Sequence, residues 1–186
     1  MLEFHVTQAS AGDLPLHLVE EINHRVANEY AEAIAGLSCA AVAARPEVKQ
    51  ALRQAADRLR AHAETHRALL RPMGGQVNLA DYLGLLCASF SRSTLAERHV
   101  RLSVETDEIW LASDRAWRLG LSLAELIRNA ARHGLGGRAG AITVQIAESC
   151  GEVVCLVRDD GAGLAPLRPG RGVGLVRALT ADLDGS

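Results

Sequence analysis

At 186 residues the chain is long enough for one ordinary domain or two small ones with a real core, so disulfides are not needed to hold it. Twenty Lys and Arg against 22 Asp and Glu leave a net charge of -2, and aromatic residues are only 3% of the chain. Bulk charge therefore favours neither nucleic acid nor a membrane surface, and an aromatic base-stacking platform is excluded.

No apolar run approaches the ~20 residues of a membrane span, and the segment from Met1 to His5 lacks the basic and apolar parts of a signal peptide. The expectation is a cytoplasmic chain with no membrane span and no nucleic-acid partner. Cys39, Cys87, Cys150 and Cys155 are scattered without a Cys-x-x-Cys pair. They read as buried free thiols rather than zinc ligands.

Only Gly12 and Gly36 precede Arg71, whereas eleven of the 17 glycines lie from Gly134 to Gly185, so the first part is helical and the last loop-rich. From Asp13 to Ala44 apolar residues recur as Val19, Ile22, Val26, Tyr30, Ala33, Leu37, Ala40 and Ala44, in steps of three and four close to a coiled-coil seam. Pro46 opens a second helix, where Val48, Leu52, Ala55, Leu59, His62, His66 and Leu69 keep the rhythm until Arg71-Pro72 ends it. The short break between them predicts an antiparallel hairpin over residues 1–72. Two helices cannot enclose an apolar seam alone, so a homodimer forming a four-helix bundle is expected, with packing against the rest of the chain as the alternative. His62 and His66 read as packed or partly solvated, since no third ligand lies near them in sequence.

Arg71 to Gln76 reads as a linker into a second domain, 73–186. Its predicted order is a helix from Leu79 to Leu95, short strands at 100–105 and 109–111, and a helix from Ser113 to His133. Two antiparallel strands at 141–146 and 153–157 come next, joined by a turn at 148–151, and a last helix runs from Val173 to Leu183. This is an α+β layer.

Four segments carry candidate chemistry. On the first helix His24 lies about 200° from Ile22, off the seam, with Glu20 and Asn28 one turn to either side. The plain account is a solvated face on which Glu21 and Arg25 form an i,i+4 ion pair; the functional one is a neutral imidazole competent as a nucleophile. Near the end of the 113–133 helix, Glu125, Asn129, Arg132 and His133 share a face that could hold hydrated Mg²⁺ and phosphates, if it is more than a polar surface. Arg158-Asp159-Asp160-Gly161-Ala162-Gly163 then sets a carboxylate at a strand end, able to accept from an exocyclic amine, beside glycines that let a flat ring approach; an ordinary Asp-Gly turn is the competing account. Last, Gly170-Arg171-Gly172-Val173-Gly174 opens a helix whose free amides favour phosphate.

In this order and at these separations the four segments resemble the two-component histidine kinases over nearly the whole chain. The run from Glu125 to His133 is similar to the N box, Asp159 to Gly163 to G1, and Gly170 to Leu175 to G2 of a Bergerat-type ATP-binding domain. His24-Arg25 is similar to the HWE-related subfamily, in which arginine follows the phosphoacceptor; the Trp and Glu of the strict HWE signature are absent around Asp159, which places the chain among its close relatives. The resemblance implies His24 as phosphoacceptor and Asn129 as Mg²⁺ ligand. It further implies Asp159 as the adenine contact, Gly161, Gly163, Gly172 and Gly174 as nucleotide loops, and Arg132 and His133 facing phosphates.

Residue 25 is not acidic, which leaves Glu20 or Glu21 as the substitute base. Asn28 matches the position that can orient a water for phosphatase action. ATP and Mg²⁺ are the implied cofactors, and a homodimer and a response-regulator receiver domain the implied partners. A dimeric phosphotransfer or scaffold protein with an inactive nucleotide domain is the alternative, and a GHKL-type ATPase without histidine chemistry leaves the His24 helix unexplained. Residues 164–169 between G1 and G2 leave room only for a short lid. The family normally adds two strands after the G2 helix, and without them the sheet is expected to have an exposed edge.

Overall fold

The computed structural model describes residues 2–6, 16–149, 151–161, 171–181 and 183, with side chains outside the description at 2–6, 16–20 and 171–173. The chain divides into two compact units, one of residues Gly12–Leu70 and one combining Met1–Ala11 with Arg71–Ser186.

The first unit is an antiparallel pair, α1 (Leu16–Val42) and α2 (Pro46–Ala68), packed along their lengths. Pro46 sits at the start of α2, where its missing N–H costs nothing, after an extended Arg45. The predicted seam is only half closed. Ala41, Ala56 and Thr65 are the buried residues among those described in this unit, and Ile22, Val42 and Val48 stay exposed. His66 packs against Tyr30, ring centroids 6.2 Å apart, as a histidine on a seam should.

The second unit is α+β. Its larger sheet takes β1 (Leu2–Val6), β3 (Val100–Thr106), β5 (Gly140–Ser149) and β6 (Glu152–Asp159) in the order β1-β6-β5-β3; β5 and β6 pair antiparallel as predicted. A second, two-stranded sheet pairs β2 (Gln76–Asn78) with β4 (Trp110–Ala112). The helices are α3 (Leu79–Arg92), α4 (Ser113–Asn129) and α5 (Arg171–Ala181). Leu79, Leu83, Leu86 and Phe90 form one stripe of α3, and Leu119, Leu123 and Ile127 one stripe of α4. Both stripes are fully buried, and Ile142, Val144, Ile146, Val153, Cys155 and Val157 are buried on one face of the sheet. Burial pushes the thiols of Cys87 and Cys155 and the phenol of Tyr82 up to about 12.

Several expectations are corrected. Residues 2–6, read as the start of the hairpin domain, form β1 and pair antiparallel with β6: Leu2, Phe4 and Val6 stand opposite Val157, Cys155 and Val153. Their period of two is a strand signal, and the strand extends the sheet beyond β6, which leaves β1 and β3 as its outer strands among the described residues. Part of the supposed linker is β2. The strand at 100–106 runs parallel to β5, because the chain crosses over through α4 before returning to the sheet. The first helix of this unit stops at Arg92, and a 3₁₀ turn follows at Ala96–Arg98. The predicted helix to His133 is α-helical only to Asn129 and opens into a π-helical turn at Ala130–Gly134. The predicted helix start at Asp13, the lid at 164–169 and Cys150 lie outside the described residues.

Candidate functional site

On α1 the periodicity of the sequence is realised. His24 is exposed, and its imidazole has no hydrogen bond or ion pair among the described residues. Asn28, one turn on, is likewise exposed. Arg25 is bound to Glu21 at 2.5 Å, with 74% and 47% of the two side chains exposed. Glu21 is thus turned to Arg25 in an exposed pair of low strength; the side chain of Glu20 lies outside the described residues. A groove of about 410 Å³ lined by Ser38, Val42, Lys49 and Arg53 opens toward the α1–α2 connection. That is on the order of 20 Å along the helix from His24 at 1.5 Å per residue, so the groove is no part of the His24 face.

In the α+β unit the two acidic residues after β6 have different surroundings. Asp159 takes the next place after Val157 on the buried face of β6, opposite Ile142, and is half-buried. Its Oδ1 accepts from the Gly161 N–H at 3.0 Å, and Oδ2 accepts nothing among the described residues. Asp160 is exposed and committed to the sheet: its Oδ1 accepts from the Ala141 N–H at 2.8 Å, and its own N–H donates to the Ala141 carbonyl at 3.1 Å. Each keeps an Oδ2 without a partner among the described residues, but only that of Asp159 stands against Gly134 at the end of α4.

The end of α4 packs onto this carboxylate. A Cβ on Gly134 would stand 2.5 Å from Asp159 Oδ2, and one on Gly161 would collide with the Gly134 carbonyl, so both positions demand glycine for close approach. Gly134 belongs to the site and was missed in the sequence, where a glycine ending a helix reads as a cap. Asn129 is half-buried, with no side-chain partner among the described residues, and Arg132 and His133 are exposed on the π turn. The turn widens the spiral, shown by the Leu135 N–H donating to the Ala130 carbonyl at 2.9 Å, so the 100° spacing that aligns Glu125 with Asn129 does not continue to Arg132 and His133. Glu125 is paired with Arg128 at 2.5 Å, and the Arg128 guanidinium lies 5.3 Å over the Phe90 ring.

Gly174 is exposed near the start of α5, and Gly172 lies in its first turn. Gly163 lies outside the described residues. No trio of His, Cys, Asp or Glu that could hold a metal ion, and no helix long and apolar enough to cross a membrane, occurs among the described residues.

Among the described residues, the Asp159 Oδ2 and the Asn129 amide are groups at this end of the unit left without a partner, with Arg132 and His133 exposed on the π turn. Comparisons with known proteins supply the family. Residues 21–94 match a family model described as histidine kinase, and residues 91–185 one described as histidine kinase-like ATPase domain. The sensor histidine kinase PdtaS of Mycobacterium tuberculosis is 32% identical over 177 residues, 90% of this chain and 35% of the relative, so the chain spans about a third of that protein's length. Among solved structures, the histidine kinase domain of the Erythrobacter litoralis EL346 blue-light activated histidine kinase superimposes with a TM-score of 0.52 at 22% identity, covering 82% of this chain and 83% of that one. A structure titled as a bacterial phosphotransferase gives a TM-score of 0.59 at 15% identity, covering 94% and 88%. The matched ranges, 21–94 and 91–185, take in His24-Arg25 and the segments from Glu125 to Leu175, and the chain belongs to the histidine kinases, among the relatives of the HWE type.

Proposed function

We propose that the chain is a histidine kinase core that phosphorylates His24 from Mg²⁺-ATP and passes the phosphoryl group to an aspartate of a response-regulator receiver domain, acting as a homodimer. The observation that carries the reading is the seat of Asp159: its free Oδ2 stands at the end of a buried strand face, walled by Gly134 and Gly161. An acceptor at a strand end suits the exocyclic amine of adenine. Asn129 offers an amide oxygen to Mg²⁺, while Arg132 and His133 offer charge and hydrogen bonds to phosphate oxygens. Gly163, Gly172 and Gly174 keep their assignment to the nucleotide loops.

Bound Mg²⁺-ATP supplies the phosphoryl group and neutralises part of its charge. The chain supplies position and a nucleophile. His24 presents an uncommitted imidazole whose neutral form would attack the γ-phosphorus through one ring nitrogen, the N–P bond forming as the bond to the β–γ bridging oxygen breaks and ADP leaves; the proton on the other ring nitrogen then needs an acceptor. With Glu21 held by Arg25, helical spacing leaves Glu20, one turn before His24, as the base we assign, and Asn28 as the residue that orients water in the reverse, phosphatase direction.

Incubating the purified chain with γ-labelled Mg²⁺-ATP, alone and then with receiver domains, tests this. Acid-labile, base-stable label on the chain that moves to a receiver supports the kinase. The likeness to a phosphotransferase over 94% of the chain favours one rival, a dimeric phosphotransfer or scaffold protein. No label from ATP, with label accepted on His24 from a phosphorylated receiver, establishes that rival instead.

A further inference from the structure

We propose that Arg98 is a positioning residue for the nucleotide site, holding the π-helical turn at the end of α4 in the register that sets Gly134 against Asp159 and Gly161; this rests on the nucleotide reading above. Arg98 ends the 3₁₀ turn between α3 and β3, is half-buried, and donates from Nη1 to the Ala131 carbonyl at 3.3 Å, across 33 residues of sequence. It has no other side-chain partner among the described residues.

The acceptor explains the need. In a continuing α-helix the Leu135 N–H would go to the Ala131 carbonyl. Here it goes to Ala130, and the guanidinium supplies a donor that Ala131 would otherwise lack. A guanidinium is always charged and its planar fork is pre-organised, and a cation beside the last turn of a helix is favoured by the helix dipole.

The aim of Arg98 is built into its backbone. His99 takes the left-handed conformation, φ 53° and ψ 38°, which a residue with a Cβ adopts only at a cost. Its N–H donates to Ala96, and the N–H groups of Arg98 and Val100 both donate to the Leu95 carbonyl, at 3.1 and 3.2 Å. Leu95 and Val100 are themselves buried, so the turn is pinned at both ends. Without Arg98 the Ala131 carbonyl loses its donor, and the last turn of α4, with the Leu135–Ala130 bond inside it, opens more often. Each opening draws Gly134 away from its close contact with Asp159 and Gly161.

The test uses the whole chain with Arg98→Gln, Arg98→Lys and, as a matched loss of charge on an exposed strand position, Arg101→Gln. Hydrogen exchange at the Leu135 amide should quicken about five- to tenfold in Arg98→Gln, the worth of one ordinary hydrogen bond, with Val144 in β5 unchanged as the sign of an intact fold. Arg98→Lys should restore most of the protection, and Arg101→Gln should behave as wild type. Calorimetry with Mg²⁺-ATP should show a loss of affinity of similar size for Arg98→Gln and less than about twofold for Arg101→Gln. Unchanged exchange at Leu135 in Arg98→Gln overturns the proposal, as does equal loss of affinity in both variants, which would make the effect one of general charge. Wild type that binds no ATP overturns the nucleotide reading and the purpose given to Arg98, while exchange at Leu135 still decides whether Arg98 holds the turn.

Discussion

The two units of the chain use the same helical periodicity to different ends. In the α+β unit Leu83, Leu119, Leu123 and Ile127 are 0% exposed, because a sheet lies against the helices and closes their apolar stripes. In the hairpin the seam has one partner helix and no sheet, and Ile22 and Val48 keep 51% and 44% of their surface exposed. A stripe of this width on a pair of helices is stabilised by further helices, and a second copy of the hairpin supplies two. One unit therefore closes its core by itself, and the other leaves its seam half open, which the proposed homodimer would close. The proposed chemistry divides in the same way, with His24 on the open hairpin and Asp159 within the closed unit.

The division of chemistry can be broken most sharply at His24. His24→Gln preserves size and polarity on an exposed face, so folding should shift by about a few tenths of a kcal/mol while incorporation of acid-labile phosphate vanishes. Label at the wild-type level in this variant would remove the hairpin from the reaction. Next in size is the contrast in packing. Leu123→Ala should cost ~2–5 kcal/mol in urea unfolding through its cavity. Val48→Asp should leave secondary structure intact, because an acidic residue in the first turn suits the helix dipole. By light scattering it should reduce a species of about twice 19.8 kDa toward the monomer mass. A monomeric wild type would show that the hairpin's seam is closed in some other way.

Asp159→Asn should weaken ATP binding by about 10- to 100-fold, since a charge-assisted acceptor is replaced by an amide that can present a donor. Asn129→Ala should instead lower the part of the affinity that depends on Mg²⁺, and calorimetry with and without the metal separates the two. The smallest effect is alkaline. Cys87 and Cys155 hold their protons to about 12 in the fold against 9.0 when unfolded, so the folded state binds more protons between those values. Their contribution is complete below pH 9 and falls as pH rises toward 12, by about 1 kcal/mol per thiol at pH 10. Cys39, on the hairpin, is exposed. Thermal melts from pH 8 to 10 should therefore lose stability in the α+β unit, and Cys87→Ala should flatten that slope.

Most of the helices and the β5–β6 pair were legible in the sequence, because their signals are local: a repeat of three and four, a proline at a first turn, an alternation of two. His24 off its seam and Asp159 at a strand end were legible for the same reason. The misreadings share another cause. The strand at Leu2–Val6 has its alternation on only five residues, and its partner β6 lies some 150 positions away, a pairing that no local pattern announces. Gln76–Asn78 becomes a strand only because Trp110–Ala112 lies beside it.

By itself, then, the sequence determined which segments are helix or strand and which side chains can act, since backbone preference and side-chain chemistry are properties of a few neighbouring residues. Tertiary structure decided how those groups are presented. It set Asp159 against the end of α4 and bound Asp160 to the Ala141 backbone, opened α4 into a wide turn, and brought Gly134 and Arg98 to a candidate site that neither motif contains. These outcomes depend on contacts between residues 19 to 33 apart, where packing and the satisfaction of single backbone groups outweigh local preference.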